Sequence, residues 1–226
     1  MIPQILKTLT TTLNQNTTIA WATEFIKGYR QIDILAVSTS YITGDRHLPT
    51  KISPALRRLT YTQMEVLSFI GAKGRVSPEY LTKQTWLSLE EIERYIADFI
   101  GLGLAQKTSR QSYGPTLWVK QLPKCIVSIE AKLSDWSTAL KQALYNKPGV
   151  DFSYAAFPLE EFKGRKTVLY EFQRNGIGVL GISQSGNWEI LIHPRREPVN
   201  QIDYLTTAIK VSKELSFSNK WTYILN

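Results

Sequence analysis

The pattern of apolar and polar residues divides the chain into short amphipathic segments. At the amino end, apolar residues at helical spacing predict a helix over residues 3–14. Two runs rich in β-branched and aromatic residues follow at 17–25 and 31–39, and Gly28 between them suits a turn, which predicts a β-hairpin. A helix that continues through Glu24 is the alternative for the first run, but its threonines and tryptophan favour the strand.

Three helical segments and a second hairpin are predicted next, after a connection that contains glycine and two prolines. Ser77 suits the cap of the second helix, and Ser88 with Glu91 forms a capping box for the third. Residues 104–121 predict two short strands around a Ser-Tyr-Gly-Pro turn. The predicted helices cover residues 60–72, 77–85 and 88–103, the last ending at Gly101 and Gly103.

This order of three helices and a hairpin, over residues 59–121, resembles a winged helix-turn-helix domain. Such domains usually lay the third helix in the major groove of duplex DNA. Here that helix carries four acidic residues and one arginine, a balance that would repel phosphates. We therefore expect the wing and the flanking loops to contact the DNA backbone, or the module to contact protein instead. The candidate DNA-binding residues are Arg75, Lys83, Lys107 and Arg110.

Strands and helices alternate through the remainder of the chain, which is typical of an α/β sheet. The predicted strands cover residues 126–133, 151–157, 176–183 and 188–194. The predicted helices cover residues 134–146, 158–175, where Gly164 weakens the middle, and 200–216.

The strand at 126–133 has a polar face that needs an explanation. Alternate residues are apolar, so Ser128, Glu130 and Lys132 fall together on the opposite face. A solvated face would explain an isolated Glu-x-Lys. The alternation of elements places this strand centrally in a sheet, however, and a second acid, Asp33, begins the apolar run at 31–39. Together these features favour a catalytic site over a solvated strand face.

Asp33 in RQIDILAV and Glu130 with Lys132 in VSIEAKL resemble the motif of the PD-(D/E)xK nuclease superfamily. Gln142 and Tyr145 in ALKQALYN are similar to a Gln-x-x-Tyr motif on the following helix of many members. The resemblance implies a restriction-endonuclease-like α/β fold, with a mixed central sheet flanked by helices. It assigns residues 1–42 and 122–226 to this discontinuous domain and residues 52–121 to an inserted winged helix-turn-helix module.

The same resemblance implies metal-dependent hydrolysis of phosphodiester bonds in DNA. Asp33, Glu130 and the Ala131 carbonyl would hold Mg²⁺ or Mn²⁺, because these ions prefer hard oxygen ligands. Lys132 would orient the attacking water or stabilise charge in the transition state. Gln142 would fix the water or a phosphate oxygen.

Other charged residues have two interpretations each. Glu24 lies across the predicted turn from Asp33 and could complete the acidic cluster; a cross-strand ion pair with Lys27 or Arg30 is the alternative. Arg196, in the HPRREP run with Arg195, could touch DNA phosphate, although a solvated loop also explains that run.

Composition narrows the class of protein. The 226 residues are 43% hydrophobic and 11% aromatic, which is typical of a globular protein. A net charge of +8 favours a polyanionic partner. The single cysteine, Cys125, excludes an internal disulfide and a cysteine-rich zinc site, and its apolar surroundings predict a buried core residue.

The sequence therefore predicts a magnesium-dependent endodeoxyribonuclease of restriction, phage-defence, repair or mobile-element type. With no apolar run of membrane-spanning length, we expect it in the cytoplasm, bound to DNA as a homodimer or in a larger nucleoprotein complex. A catalytically inactive DNA-binding regulator or assembly factor that uses the winged helix is the alternative. A pure interaction module is a third hypothesis.

Overall fold

The computed structural model describes residues 18–27, 30–39, 55–56, 58–123, 125–162, 165–196, 200–215 and 221–224. The predicted helix at 3–14, the turn at Gly28 and most of the connection before residue 58 lie outside the described residues. The described elements form a mixed α/β protein, and they cluster into two compact units. None of the helices in the described ranges has the length and apolar character needed to span a bilayer.

The first unit is built on a mixed sheet of seven strands flanked by helices. Its strands in chain order are β1 (Thr18–Lys27), β2 (Arg30–Thr39), β5 (Cys125–Ala131), β6 (Phe152–Pro158), β7 (Gly178–Ile182), β8 (Trp188–Ile192) and β9 (Thr222–Ile224). The spatial order is β8-β7-β6-β5-β2-β1-β9. Strands β5, β6 and β7 are parallel, and the other pairs are antiparallel. The sequence did not predict β9, which extends the sheet by pairing with β1.

Two helices of the first unit connect the parallel strands, because parallel neighbours cannot be joined by a tight turn and need a crossover connection. They are α4 (Trp136–Asn146) and α5 (Lys166–Arg174). Small residues of α4, Ala139 and Ala143, are fully buried in the same cluster as Ala155 of β6 and Phe172 of α5. Because alanine allows a close approach, α4 lies directly on the polar face of β5. That face carries Glu130.

One predicted helix is interrupted. The pattern at 158–175 predicted a single helix with a weak middle, whereas the structure has a short 3₁₀ turn at Leu159–Phe162 followed by α5 from Lys166. Residues 163–164 lie outside the described residues. The continuous helix was therefore wrong, because the 3₁₀ geometry of Leu159–Phe162 and the non-helical backbone of Arg165 have no signal in the apolar spacing.

The second unit contains three helices, a two-stranded hairpin and a closing helix. They are α1 (Tyr61–Lys73), α2 (Pro78–Gln84), α3 (Leu89–Gly101), β3 (Ala105–Ser109), β4 (Ser112–Pro115) and α6 (Gln201–Leu215). The predicted caps are confirmed: Ser77 accepts from the Tyr80 amide, and Ser88 forms a capping box with Glu91. Gly103, which has a φ of 69°, follows the end of α3 in a backbone conformation that favours glycine.

The second hairpin turns earlier than predicted. Its turn lies at residues 110–111, and Ser112–Pro115, the predicted turn, forms strand β4 itself. Tyr113 also pairs with Val76, so this stretch is held as a strand from both sides. The residues predicted as the second strand instead form a 3₁₀ helix at Leu117–Gln121.

The closing helix α6 belongs to the second unit, whereas the sequence placed it in the nuclease-like domain. It packs along α1: Thr206 Oγ1 donates to Ser68 Oγ at 2.9 Å, and Lys213 Nζ donates to the Leu59 carbonyl at 2.8 Å. Gly71 of α1 leaves room for Leu205, since a Cβ there would lie 3.2 Å from that side chain. These are long-range contacts, which helix periodicity does not encode.

Candidate active site

Strand β5 lies at the centre of the sheet and carries the polar face predicted from sequence. Its antiparallel ladder with β2 includes the pair Ile34–Ile129, and continuing by one residue sets Asp33 opposite Glu130. Opposite residues of neighbouring strands project to the same face, so the two carboxyl groups share the face under α4. The same face of β5 is buried at Ser128, whose hydroxyl donates to Ser153 Oγ of β6 at 3.0 Å.

Lys132 lies between the two acids, just past the end of β5. Its Nζ donates to Asp33 Oδ2 at 3.3 Å and lies 3.9 Å from Glu130 Oε2. Asp33 Oδ2 also accepts from the Ala131 amide at 2.9 Å, which fixes the carboxylate against the strand end. The Ala131 carbonyl, a predicted metal ligand, accepts from Lys132 Nζ at 3.3 Å. The structure thus brings together Asp33, Glu130, Ala131 and Lys132.

Glu130 is 1% exposed and is held by a residue that the sequence did not predict. Asn146 Nδ2 donates to Glu130 Oε1 at 2.6 Å, and Oε2 has no hydrogen-bond partner among the described residues. Burial first, and the neighbouring Asp33 charge second, raise the pKa of Glu130 to about 7, although Asn146 and Lys132 oppose the shift. The carboxyl group therefore changes its charge near neutral pH.

A signal for Asn146 was present in the sequence. It follows Gln142 by four residues in a predicted helix, so the two side chains lie on one face, one turn apart. Both line the same cavity, of about 440 Å³, together with Gln31, Asp33 and Glu130. Tyr145, the other residue of the predicted Gln-x-x-Tyr motif, is 52% exposed and does not line this cavity.

The residues around the cavity fit a divalent cation. Gln142 Oε1 and Glu130 Oε2 are buried acceptors with no donor in the described part of the chain, and the Asp33 carboxylate lies beside them. Oxygen acceptors without donors are the surroundings that Mg²⁺ and Mn²⁺ prefer. Within the described ranges, no group of three or more His, Cys, Asp or Glu side chains could hold a metal ion. An ion here would use two carboxylates, neutral oxygens and water.

Glu24 does not join the two acids in such a group. It lies opposite Asp33 in the β1–β2 register, but regular pairing is missing there between Thr23–Ile34 and Phe25–Ile32. Its φ of 54° is unusual for a residue with a side chain, and the residue is exposed. The alternative ion pair involves Lys27 and Arg30, whose side chains lie outside the described residues.

The candidate DNA-binding residues are exposed in the second unit. Lys107 lies on β3, Arg110 in the hairpin turn, Lys83 in α2 and Arg75 between α1 and α2. Helix α3 exposes acidic side chains instead, as its sequence implied: Glu90, Glu93 and Asp98.

Arg196 has a structural partner in the first unit. Its Nη2 donates to Asp151 Oδ1 at 2.6 Å, and Asp151 Oδ2 accepts from the Ile126 amide at the start of β5. Asp151 is 5% exposed, so Arg196 compensates a buried charge. Cys125, also at the start of β5, is buried as predicted, and burial raises the pKa of its thiol.

Comparison with known proteins adds no relative. No protein-family model matches the chain, and neither a curated protein nor a solved structure matches it significantly.

Proposed function

We propose that this protein is a metal-dependent DNA nuclease of the PD-(D/E)xK type. The observation that carries the proposal is the position of Lys132 Nζ, which lies within 4 Å of both Asp33 and Glu130, two acids that line the same polar cavity. Beside Lys132, the buried oxygens Glu130 Oε2 and Gln142 Oε1 have no hydrogen-bond donor in the described part of the chain, which a purely structural ion pair would not explain. A site that receives a cation accounts for both.

Asp33 and Glu130 would hold the ion, with the Gln142 amide oxygen and the Ala131 carbonyl as neutral ligands. Bound Mg²⁺ or Mn²⁺ supplies positive charge for the phosphate and lowers the pKa of a coordinated water. Lys132 Nζ lies beside both acids and would orient the attacking water or stabilise the developing negative charge. Asn146 holds the Glu130 carboxyl in place.

DNA is the substrate that the charge distribution favours. The chain carries a net charge of +8, and two exposed cations of the second unit, Lys107 and Arg110, lie on the β3–β4 hairpin. In this proposal the second unit is a winged helix-turn-helix module that contacts the DNA backbone through the hairpin, because its acidic α3 would be repelled from the major groove. Cleavage of both strands would need a pair of sites, which a homodimer supplies.

The test compares cleavage of supercoiled plasmid and of a branched duplex by wild type, Asp33→Ala and Lys132→Ala, with Mg²⁺ and then Mn²⁺. We expect each substitution to reduce the rate by at least about 100-fold while DNA affinity stays within a few-fold. Lys166→Ala, which removes an exposed lysine of α5, is the matched control and should cut normally.

The outcome also distinguishes the alternative function. DNA binding that is equal with Mg²⁺ and with chelator, and no cleavage by wild type, would indicate a DNA-binding regulator or assembly factor. The exposed cations of the second unit are the observation that favours this second candidate, since they do not depend on the acids of the first. No DNA affinity at physiological salt would indicate an interaction module.

A further inference from the structure

A second cavity, of about 380 Å³, lies beside the candidate active site at the carboxyl ends of the three parallel strands. In open α/β sheets this edge is where ligands bind. The Lys132 amide donates to the Ala156 carbonyl at 3.0 Å, which fixes the backbone of Lys132 in the wall of this cavity. The cavity is lined by Lys132, Leu133, Phe157, Pro158, Ile182 and Gln184, among others.

The walls of this cavity suit a flat, largely apolar ring. Leucine, phenylalanine, proline and isoleucine supply most of the surface, and polar side chains enter at Ser183 and Gln184, in the turn between β7 and β8. The Ser183 hydroxyl is fixed by donation to the Asn187 carbonyl at 3.1 Å. The Gln184 amide is exposed and makes no hydrogen bond in the described part of the chain. It can therefore offer a donor and an acceptor to the edge of a nucleobase.

Leu133 is an apolar side chain of this cavity that is unusually exposed to solvent. It directly follows Lys132, lines the cavity and is 81% exposed. Proteins that unstack DNA insert apolar side chains, leucine among them, between neighbouring bases. Lys132 belongs to the proposed catalytic site, so a leucine one residue away is placed to unstack the nucleotide that carries the scissile phosphate.

We propose that the second cavity receives a nucleobase extruded from the duplex next to the scissile phosphate, with Leu133 as the wedge and Gln184 in contact with the base edge. The inference rests on the proposed nuclease function and extends it to a substrate class. Extrusion breaks stacking and pairing, and it is least unfavourable for a mismatched, damaged or unpaired base. Such nucleotides should therefore be cut faster than matched duplex.

The experiment first maps the cleavage positions of the wild-type protein on a duplex with Mg²⁺. A set of duplexes then carries 2-aminopurine, whose fluorescence rises when it leaves the stack, at each position around a mapped cut. Ca²⁺ replaces Mg²⁺ to keep the DNA intact. We expect the fluorescence to rise at one position, and a mismatch at that position to increase the cleavage rate at least about tenfold.

Two variants test the residues without disturbing the core, because both side chains are exposed. Leu133→Ala should lose the fluorescence rise and the cleavage of matched duplex, while a mismatched duplex rescues cleavage. Gln184→Ala should keep the rise but reduce discrimination among bases at that position. Leu117→Ala, which removes a leucine that is 68% exposed in the second unit, is the matched control.

The results that would overturn this inference differ from those that would overturn the proposed function. If wild type cleaves DNA, but 2-aminopurine stays stacked at every position and Leu133→Ala cuts matched duplex at the wild-type rate, the extruded-base site is overturned and the nuclease stands. If wild type cleaves no duplex, branched or mismatched DNA with either metal, both proposals are overturned.

Discussion

Glu130 illustrates how a single buried acid controls the site. Its carboxyl group lies in the centre of the sheet, and the cost of burying its charge raises its pKa to about 7, from the ordinary 4.5. Because the folded protein holds this proton more tightly than the unfolded chain, the associated stability is complete below about pH 4.5. It is lost as the pH rises through about 7.

We therefore expect Glu130→Gln, which stays neutral, to gain thermal stability relative to wild type as the pH rises from about 5 to about 8.5. Melting temperatures measured across this range without metal test the sign. Glu189→Gln, a change at an exposed residue, is the control and should follow the wild-type curve. Parallel curves for Glu130→Gln and wild type would contradict the raised pKa. At the proposed metal site Mg²⁺ would compete with the proton, so added Mg²⁺ should stabilise wild type more at the upper end of the range.

Asn146 is expected to position Glu130. Asn146→Ala leaves Glu130 Oε1 buried without its donor, which should reduce the free energy of unfolding by about 1–3 kcal/mol. It should also weaken Mg²⁺ binding roughly 10–100-fold, because the carboxylate is no longer held. Urea unfolding and calorimetric titration with Mg²⁺ measure the two effects.

Asn175→Ala is the matched control for this prediction. The Asn175 amide donates to the Glu171 carbonyl at 2.8 Å, away from the site, so its loss should affect stability alone. Unchanged Mg²⁺ affinity in Asn146→Ala would show that Glu130 does not depend on its partner for metal binding.

Register explains which site residues could be predicted. Glu130 and Lys132 could be grouped from sequence, because strand alternation is local and assigns each residue to a face. The family resemblance groups Asp33 with them, and the pairing of β2 with β5 sets it opposite Glu130. Asn146 could not be paired with Glu130 in the same way, since that hydrogen bond depends on how closely α4 approaches β5. The irregular backbone at Glu24 likewise has no signal in the sequence.

At the scale of elements, the proposed function assigns the contact with DNA to the β3–β4 hairpin of the second unit. Lys107 and Arg110 are both exposed on it, and no acidic residue lies within Ala105–Ser109 or Ser112–Pro115. Its turn falls where Ser109 pairs with Ser112, which sets Arg110 at the tip. An arginine at a hairpin tip can reach phosphate without steric obstruction from the strands.

Charge reversal of the hairpin, Lys107→Glu with Arg110→Glu, should weaken DNA binding and reduce the slope of log affinity against log salt by about 2. Fluorescence anisotropy with labelled duplex at several salt concentrations measures both. Lys166→Glu with Arg174→Glu reverses two exposed charges on α5 and serves as the control. If the slope does not change in the hairpin variant, the hairpin is not part of the interface.

At the scale of the whole molecule, the chain leaves the first unit after β2 and returns to it at β5, and α6 returns to the second unit. Ile209 of α6 is fully buried, and the rest of the unit whose core it joins lies between residues 41 and 122, far from it in sequence. Each unit has its own buried residues, so a mutation in the core of one unit is expected to destabilise that unit and not the other.

We expect Ile209→Ala to cost about 2–5 kcal/mol and to reduce hydrogen-exchange protection in α1, its packing partner, but not in β5 and β6. Phe172→Ala is the reciprocal variant: that side chain is fully buried in the first unit, and its loss should affect β6 and β7 while α1 stays protected. Exchange measured by mass spectrometry resolves these segments. Equal loss of protection in both units, for either variant, would contradict this division.

The sequence by itself determined most element types, the helix caps and the face shared by Glu130 and Lys132, because these follow from local spacing and local hydrogen bonds. Asp33 joins that face only through the long-range pairing of β2 with β5. Only the tertiary structure decided that Asn146 holds Glu130, that β9 extends the sheet and that α6 joins the second unit. Each of these depends on contacts between segments far apart in the chain, where closeness follows from packing and not from periodicity.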